Sequence, residues 1–211
     1  MEKEALTKLL REQDGNYPIL LQRAKESAAS EKWGMGVGAP YSLEPYCMEM
    51  LGIKPGRMLK SKSEPGARRY RYFYDNKDRV VHVVAYSKLG GPPDARDWMR
   101  ADDFYEYDGN SATRYVFGNT FREHPDSQIT RIVRLSYVNE KVCKIYQLER
   151  RNLEYTETVY SYNKSGDLVE IRVKWPDGPY PDRVLKVNGE GEDVKLFEIR
   201  DQREIPVYPE P

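Results

Sequence analysis

The stretch Tyr160-Ser161-Tyr162-Asn163-Lys164-Ser165-Gly166-Asp167-Leu168-Val169 decides how this chain is read. Aromatic residues two apart are followed by four polar turn formers and then by aliphatic residues. Side chains alternate faces along a strand, and Asn, Asp and Gly supply the positive φ of a tight turn, so the stretch reads as a β-hairpin. The same order occurs in Tyr72-Phe73-Tyr74-Asp75-Asn76-Lys77-Asp78-Arg79-Val80. Working outward, hairpins are also expected over 104–117, 133–148 and 184–199. The residues at or before each turn are Tyr74, Tyr107, Tyr137, Tyr162 and Val187, recurring every 25 to 33 residues. One hairpin alone is marginal in water, whereas adjacent hairpins share a ladder and an apolar face. Five of them predict ten strands in one long antiparallel meander. The tail, Ile205 to Pro211, is Pro-rich and is expected to end the pairing rather than enter a central strand.

Residues 1–66 have a different pattern. Leu6, Leu9 and Leu10 stand at helical spacing within 3–13. Pro18 suits the first turn of a second helix running to about Ala29, with Leu20, Leu21 and Ala24 on one face. Ser42 can cap a short third helix over 43–51, ended by Gly52. Gly34, Gly36 and Gly38 read as a connector, since the Lys and Ser/Thr of a phosphate loop do not follow. The expected fold is therefore α+β. Two or three N-terminal helices (1–66) pack on a large antiparallel β-meander of about five repeated hairpins (67–211), and the two parts are expected to form one continuous unit.

Composition narrows the function. The chain has 211 residues, with 34 basic and 34 acidic side chains. Its mean hydropathy is −0.82. Balanced charge gives no footprint for a nucleic acid. Arg69 and Arg71 alternate with Tyr70 and Tyr72, which puts cations and rings on opposite faces and argues against interleaved base stacking. No apolar run approaches the ~20 residues of a membrane helix. Met1-Glu2-Lys3-Glu4 lacks the basic start and apolar stretch of a signal peptide, so the expected location is the cytoplasm. Cys47 and Cys143 form no metal spacing and read as reduced structural thiols. Seventeen tyrosines against five phenylalanines favour half-buried sheet.

The repeat resembles the tyrosine-and-turn units of the YD/Rhs class, over about residues 68–200. Small proteins with such hairpin arrays resemble the immunity proteins of bacterial polymorphic toxin systems. That resemblance implies a cytoplasmic protein that binds a cognate toxin domain and occludes its active or substrate-binding surface, with no catalytic residues, metal or cofactor of its own. An adaptor or chaperone for a secreted effector is a second reading. An enzyme with a pocket between helices and sheet is a third.

Candidate contact residues follow from charge and aromatic content. Asp102, Asp103, Glu106 and Asp108 form the densest acidic group, suited to a basic toxin surface. Trp98 and Tyr105 lie beside it as aromatic anchors. The competing reading makes the acids a solvated strand face and Trp98 a core plug. His82, within a Val-rich run, reads as a packed strand residue. His124, beside Glu123 and Asp126, reads as polar loop.

Overall fold

A computed structural model describes residues 2–91, 94, 96–120 and 127–209. It corrects the α+β expectation. Strand accounts for 49% of the chain and helix for 14%, so the molecule is a large β-meander with two short helices rather than a helix-packed sheet. Thirteen strands form one sheet: β1 (Ser30–Met35), β2 (Arg57–Met58), β3 (Arg69–Tyr74), β4 (Val80–Gly90), β5 (Asp97–Asp108), β6 (Ser111–Thr120), β7 (Ile129–Val138), β8 (Lys141–Glu149), β9 (Tyr155–Tyr162), β10 (Leu168–Lys174), β11 (Arg183–Asn188), β12 (Lys195–Arg200) and β13 (Arg203–Tyr208). From β3 to β13 each strand pairs antiparallel with the next, and β1 lies between β3 and the edge strand β2. The ten expected strands are β3 to β12. The other three come from the presumed connector and from the tail, which pairs with β12 as the opposite edge.

The helices are α1 (Glu2–Glu12) and α2 (Tyr17–Ser27). The expected third helix shrinks to one 3-10 turn, Glu49–Leu51. No described helix is long and apolar enough to cross a membrane. Leu6, Leu10, Tyr17, Leu20, Leu21 and Ala24 pack on Phe104, Tyr115, Phe117, Ile132 and Leu148. The helices touch β4, β5, β7 and β8, and so cover only the middle of one face.

The other face is covered by residues 39–55, a strap between β1 and β2. Its ends are stitched together by close backbone approach. Gly56 N–H donates to Gly38 O at 3.1 Å. A Cβ added at Gly56 would lie 2.4 Å from Met35 O. Glycine is therefore required here for space. Inside the strap, Leu43, Tyr46 and Met50 pack against Val133, Leu135, Ile145, Ile171, Leu185 and Leu196.

Two tyrosine hydroxyls hold the strap backbone, and a third holds Val37 just before it. Tyr70 donates to Val37 O (3.2 Å), Tyr72 to Tyr41 O (3.1 Å) and Tyr160 to Pro45 O (3.3 Å). The Tyr72 hydroxyl also accepts from Tyr41 N–H at 3.3 Å. The sheet curls around the strap. Flat, β3 and β11 would stand eight strand spacings apart, ~38 Å at ~4.8 Å each, yet Tyr72 on the one and Arg183 on the other line the same cavity beneath the strap. The sheet thus bends into a trough around the strap, and the 3-10 turn reaches β13.

The repeat has a side-chain logic of its own. Tyr107 donates to Val80 O at 2.8 Å, and Arg79 lies over its ring at 4.5 Å. Tyr162 donates to Val142 O at 2.8 Å, and Lys141 lies over its ring at 5.3 Å. In both cases the tyrosine at one hairpin end bonds the first valine of the preceding hairpin's return strand, under the cation that precedes that valine. In these two units the aromatic position ties the hairpin to its predecessor.

Tyr72→Phe should lower unfolding free energy by about 1 to 3 kcal/mol, because it strips partners from both polar groups of Tyr41. Gly56→Ala should cost at least about 2 kcal/mol through overpacking against backbone. Urea unfolding followed by tyrosine fluorescence measures both.

Candidate functional site

Strand β5 carries all six expected contact residues, and its alternation sends them to opposite faces. Asp102, Phe104 and Glu106 face the helices, whereas Asp103, Tyr105 and Tyr107 face the trough. The six do not form one surface. Asp102 is fully buried. His82 Nε2 donates to its Oδ1 at 2.8 Å, and Arg100 donates from Nη2 at 2.6 Å and Nε at 2.8 Å. Glu106 accepts from Arg23 and from the Tyr115 hydroxyl. Tyr105 is buried, and Trp98 is half-buried opposite Leu89. Only Asp108 is exposed, at the hairpin end. His124, Glu123 and Asp126 lie outside the described residues.

His82 sits between Phe73 and Phe104, with ring centroids 5.1 and 4.6 Å away and planes nearly parallel. This fits its reading as a packed strand residue, with a buried carboxylate added. His82 and Arg100 hold the Asp102 carboxyl below its ordinary value against the opposing effect of burial.

On the trough side, Arg114 pairs with Glu44 of the strap and, from Nη2, with Asp103 at 3.0 Å. Its Nε is buried without a hydrogen-bond partner. Arg131 Nε lies 3.3 Å from Glu149 Oε1, close enough for an ion pair but without hydrogen-bond alignment. Burial raises the Asp103 carboxyl, opposed by Arg114. Burial also pushes the Cys47 thiol up to about 11, so it stays protonated and a poor nucleophile near neutral pH. A cavity of about 570 Å³ remains between strap and sheet.

That cavity opens onto a groove of about 730 Å³ at one end of β9 to β12, sharing Glu154, Trp175 and Arg183 with it. Trp175-Pro176-Asp177-Gly178 is a turn, with Gly178 N–H donating to Trp175 O at 3.0 Å. Pro, Asp and Gly occupy the positions a type I turn favours. Lys3 of α1 fastens it through Asp177 at 2.7 Å. The turn presents Trp175 edge-to-face with Tyr180 at 5.8 Å, and Tyr180 is 57% exposed. Below them Glu198 accepts from Arg183 (2.9 Å) and Arg200 (2.5 Å), and its carboxyl is held below its ordinary value by Arg200 first and then Arg183. Glu154, Asp182, Glu198 and Asp201 line the groove against two guanidiniums, Arg183 and Arg200, which leaves it acidic. In sequence this segment reads only as a longer loop. The one available signal is a Trp and a Tyr placed among turn formers, where burial is not expected.

No family model matches the chain, and no curated protein matches it. Among solved structures it is similar to a porin-like protein from Bacteroides uniformis ATCC 8492, with 12% identity over 64% of this chain and a TM-score of 0.46. The chain spans 50% of that protein's length. At this level the likeness carries no argument about fold or role.

Asp102→Asn should cost about 3 to 5 kcal/mol, since it leaves Arg100 buried without its counter-charge. A carboxyl whose pKa is lowered by folding adds stability above its unfolded pKa and loses it as pH falls through the folded one. The wild type should therefore lose more stability than Asp102→Asn on acidification below about pH 4. Denaturant titrations at stepped pH measure the difference.

Proposed function

We propose that the protein acts by binding: it engages a basic segment of a cognate protein toxin at the groove formed by Trp175, Tyr180 and the surrounding carboxylates, and so occludes that toxin. The observation that carries the reading is an edge-to-face pair, half-buried Trp175 and exposed Tyr180, above an acidic floor. A Lys or Arg of the partner can lie over the Trp175 ring while its charge meets Asp182, Asp201 or Glu154. Aromatic anchors beside charge are the usual composition of a binding hot spot. Complementary charge then speeds encounter and selects the partner. The YD/Rhs-like repeat supports the immunity class, and the strap supports the mechanism. A trough held by hydrogen bonds to tyrosine hydroxyls is preorganised, so docking orders little chain and loses little entropy. The expected cytoplasmic location belongs to the same reading.

The expected partner is a toxin or effector domain encoded beside this chain. Co-expression should rescue growth, and purified domains should form a complex that weakens as salt rises. The triple variant Trp175→Ala, Asp182→Lys, Asp201→Lys should keep its circular dichroism spectrum, lose at least about tenfold in affinity and lose rescue. Unchanged affinity and rescue in that variant would remove the groove from the interface. A bound partner that stays fully active would instead indicate an adaptor or chaperone.

A further inference from the structure

On the opposite face, between α2 and strands β3 to β5, lies a separate cavity of about 280 Å³. Three cations line it: Lys25, Arg71 and Arg100. Among the described residues no carboxylate does. The acids that balance the two arginines stand behind them, Glu31 on Arg71 and the fully buried Asp102 on Arg100. Each guanidinium carries five donors on three nitrogens. Glu31 engages Nε and Nη2 of Arg71, and Asp102 engages Nε and Nη2 of Arg100, whose Nη2 also donates to the Tyr17 hydroxyl at 3.2 Å. The rest of the wall is apolar, with Leu21 and Val84 at the sides and the rings of Phe73 and Tyr86. The floor is rigid. Arg71 stacks over Phe73 at 4.6 Å, and Tyr86 lies parallel to Trp33 with centroids 6.0 Å apart. His82, sandwiched between Phe73 and Phe104, closes the cavity beside Arg100.

A cavity with guanidinium and ammonium donors on its wall, no acid among its described lining residues and flat apolar surfaces is complementary to a small anion with a flat apolar body. We infer that this cavity is a binding site for a small aromatic carboxylate, seated with its ring among Phe73, Tyr86 and Leu21 and its carboxylate between Arg71 and Arg100. Its volume is at the low end for ligand pockets and suits a single ring rather than a nucleotide. Bidentate recognition of a carboxylate is what guanidiniums do best, and low dielectric beneath α2 strengthens it. The site is independent of the toxin-binding reading, since it uses the other face of the sheet and none of the groove residues.

Benzoate is the probe, with benzamide as its neutral counterpart of equal shape. Titration of the full chain, followed by amide NMR shifts and by calorimetry, should show saturable benzoate binding with a Kd of ~1 mM or tighter, and benzamide binding at least about tenfold weaker. Phenyl phosphate in a parallel titration shows whether the wall prefers the planar carboxylate, as expected, or the tetrahedral anion. Two variants locate the site. Arg71→Gln removes one cation. Ala28→Leu, at the extended residue that follows α2 and lines the cavity, fills the space without removing a core contact. Each should weaken benzoate binding at least about tenfold with the amide spectrum otherwise preserved. Absence of saturable benzoate binding, equal binding of benzamide, tighter binding of phenyl phosphate, or undiminished binding in a folded Ala28→Leu variant would overturn the assignment.

Discussion

A sheet one layer thick has two faces to cover and, here, only two short helices to do it with. The contact on which the rest depends is therefore the one between the tyrosine hydroxyls of the inner face and the backbone of the strap. Residues 39–55 have few regular backbone hydrogen bonds of their own, and buried peptide groups without partners are costly. Tyr72 and Tyr160 reach across from β3 and β9 and satisfy Tyr41 and Pro45. Phenylalanine would bury the same ring and leave those groups orphaned. This gives a physical reason for the excess of tyrosine over phenylalanine: the rings make the core, and the hydroxyls secure the segment that fills it.

Charge on β5 shows how strongly strand geometry overrides composition. Asp102 and Asp103 are neighbours in sequence, yet their carboxyls belong to different networks on different faces. Folding pushes one down through His82 and Arg100, and burial pushes the other up. Four acids within seven residues become an internal ion pair, a trough ion pair, a helix contact and one exposed hairpin residue. The acidic surface forms elsewhere, at Glu154, Asp182 and Asp201, which are far apart in sequence and meet only because β9 to β12 run side by side.

Much of the sheet was legible in the chain. The Tyr-turn-aliphatic order located all ten central strands, because period-two alternation and turn chemistry are local properties. Leu6, Leu10, Leu20 and Leu21 marked both helices for the same reason. The strap was not legible. Gly34, Gly36 and Gly38 ahead of it look like a loose connector, and nothing local tells that Gly36 and Gly38 lie against Gly56 or that Glu44 will meet Arg114, seventy positions later. Ser42 and Gly52 do mark helix ends, but Pro45 and the left-handed backbone of Tyr46 (φ 56°) interrupt the segment between them and confine the helix to one 3-10 turn. The groove was missed for a related reason: Trp175 and Tyr180 acquire meaning only from strands that sequence does not place beside them.

The strap also sets how many hairpins the molecule can have. An open array of repeats gains or loses a unit with little consequence, since each unit touches only its neighbours. Here one segment of fixed length must reach strands on both flanks at once, from Tyr72 to the β13 edge. A duplicated hairpin would widen the curve beyond that reach, and a deleted one would crowd it. Change in unit number is therefore coupled to change in 39–55, and descendants of such a chain are expected to vary in turn sequence and loop length long before they vary in strand count.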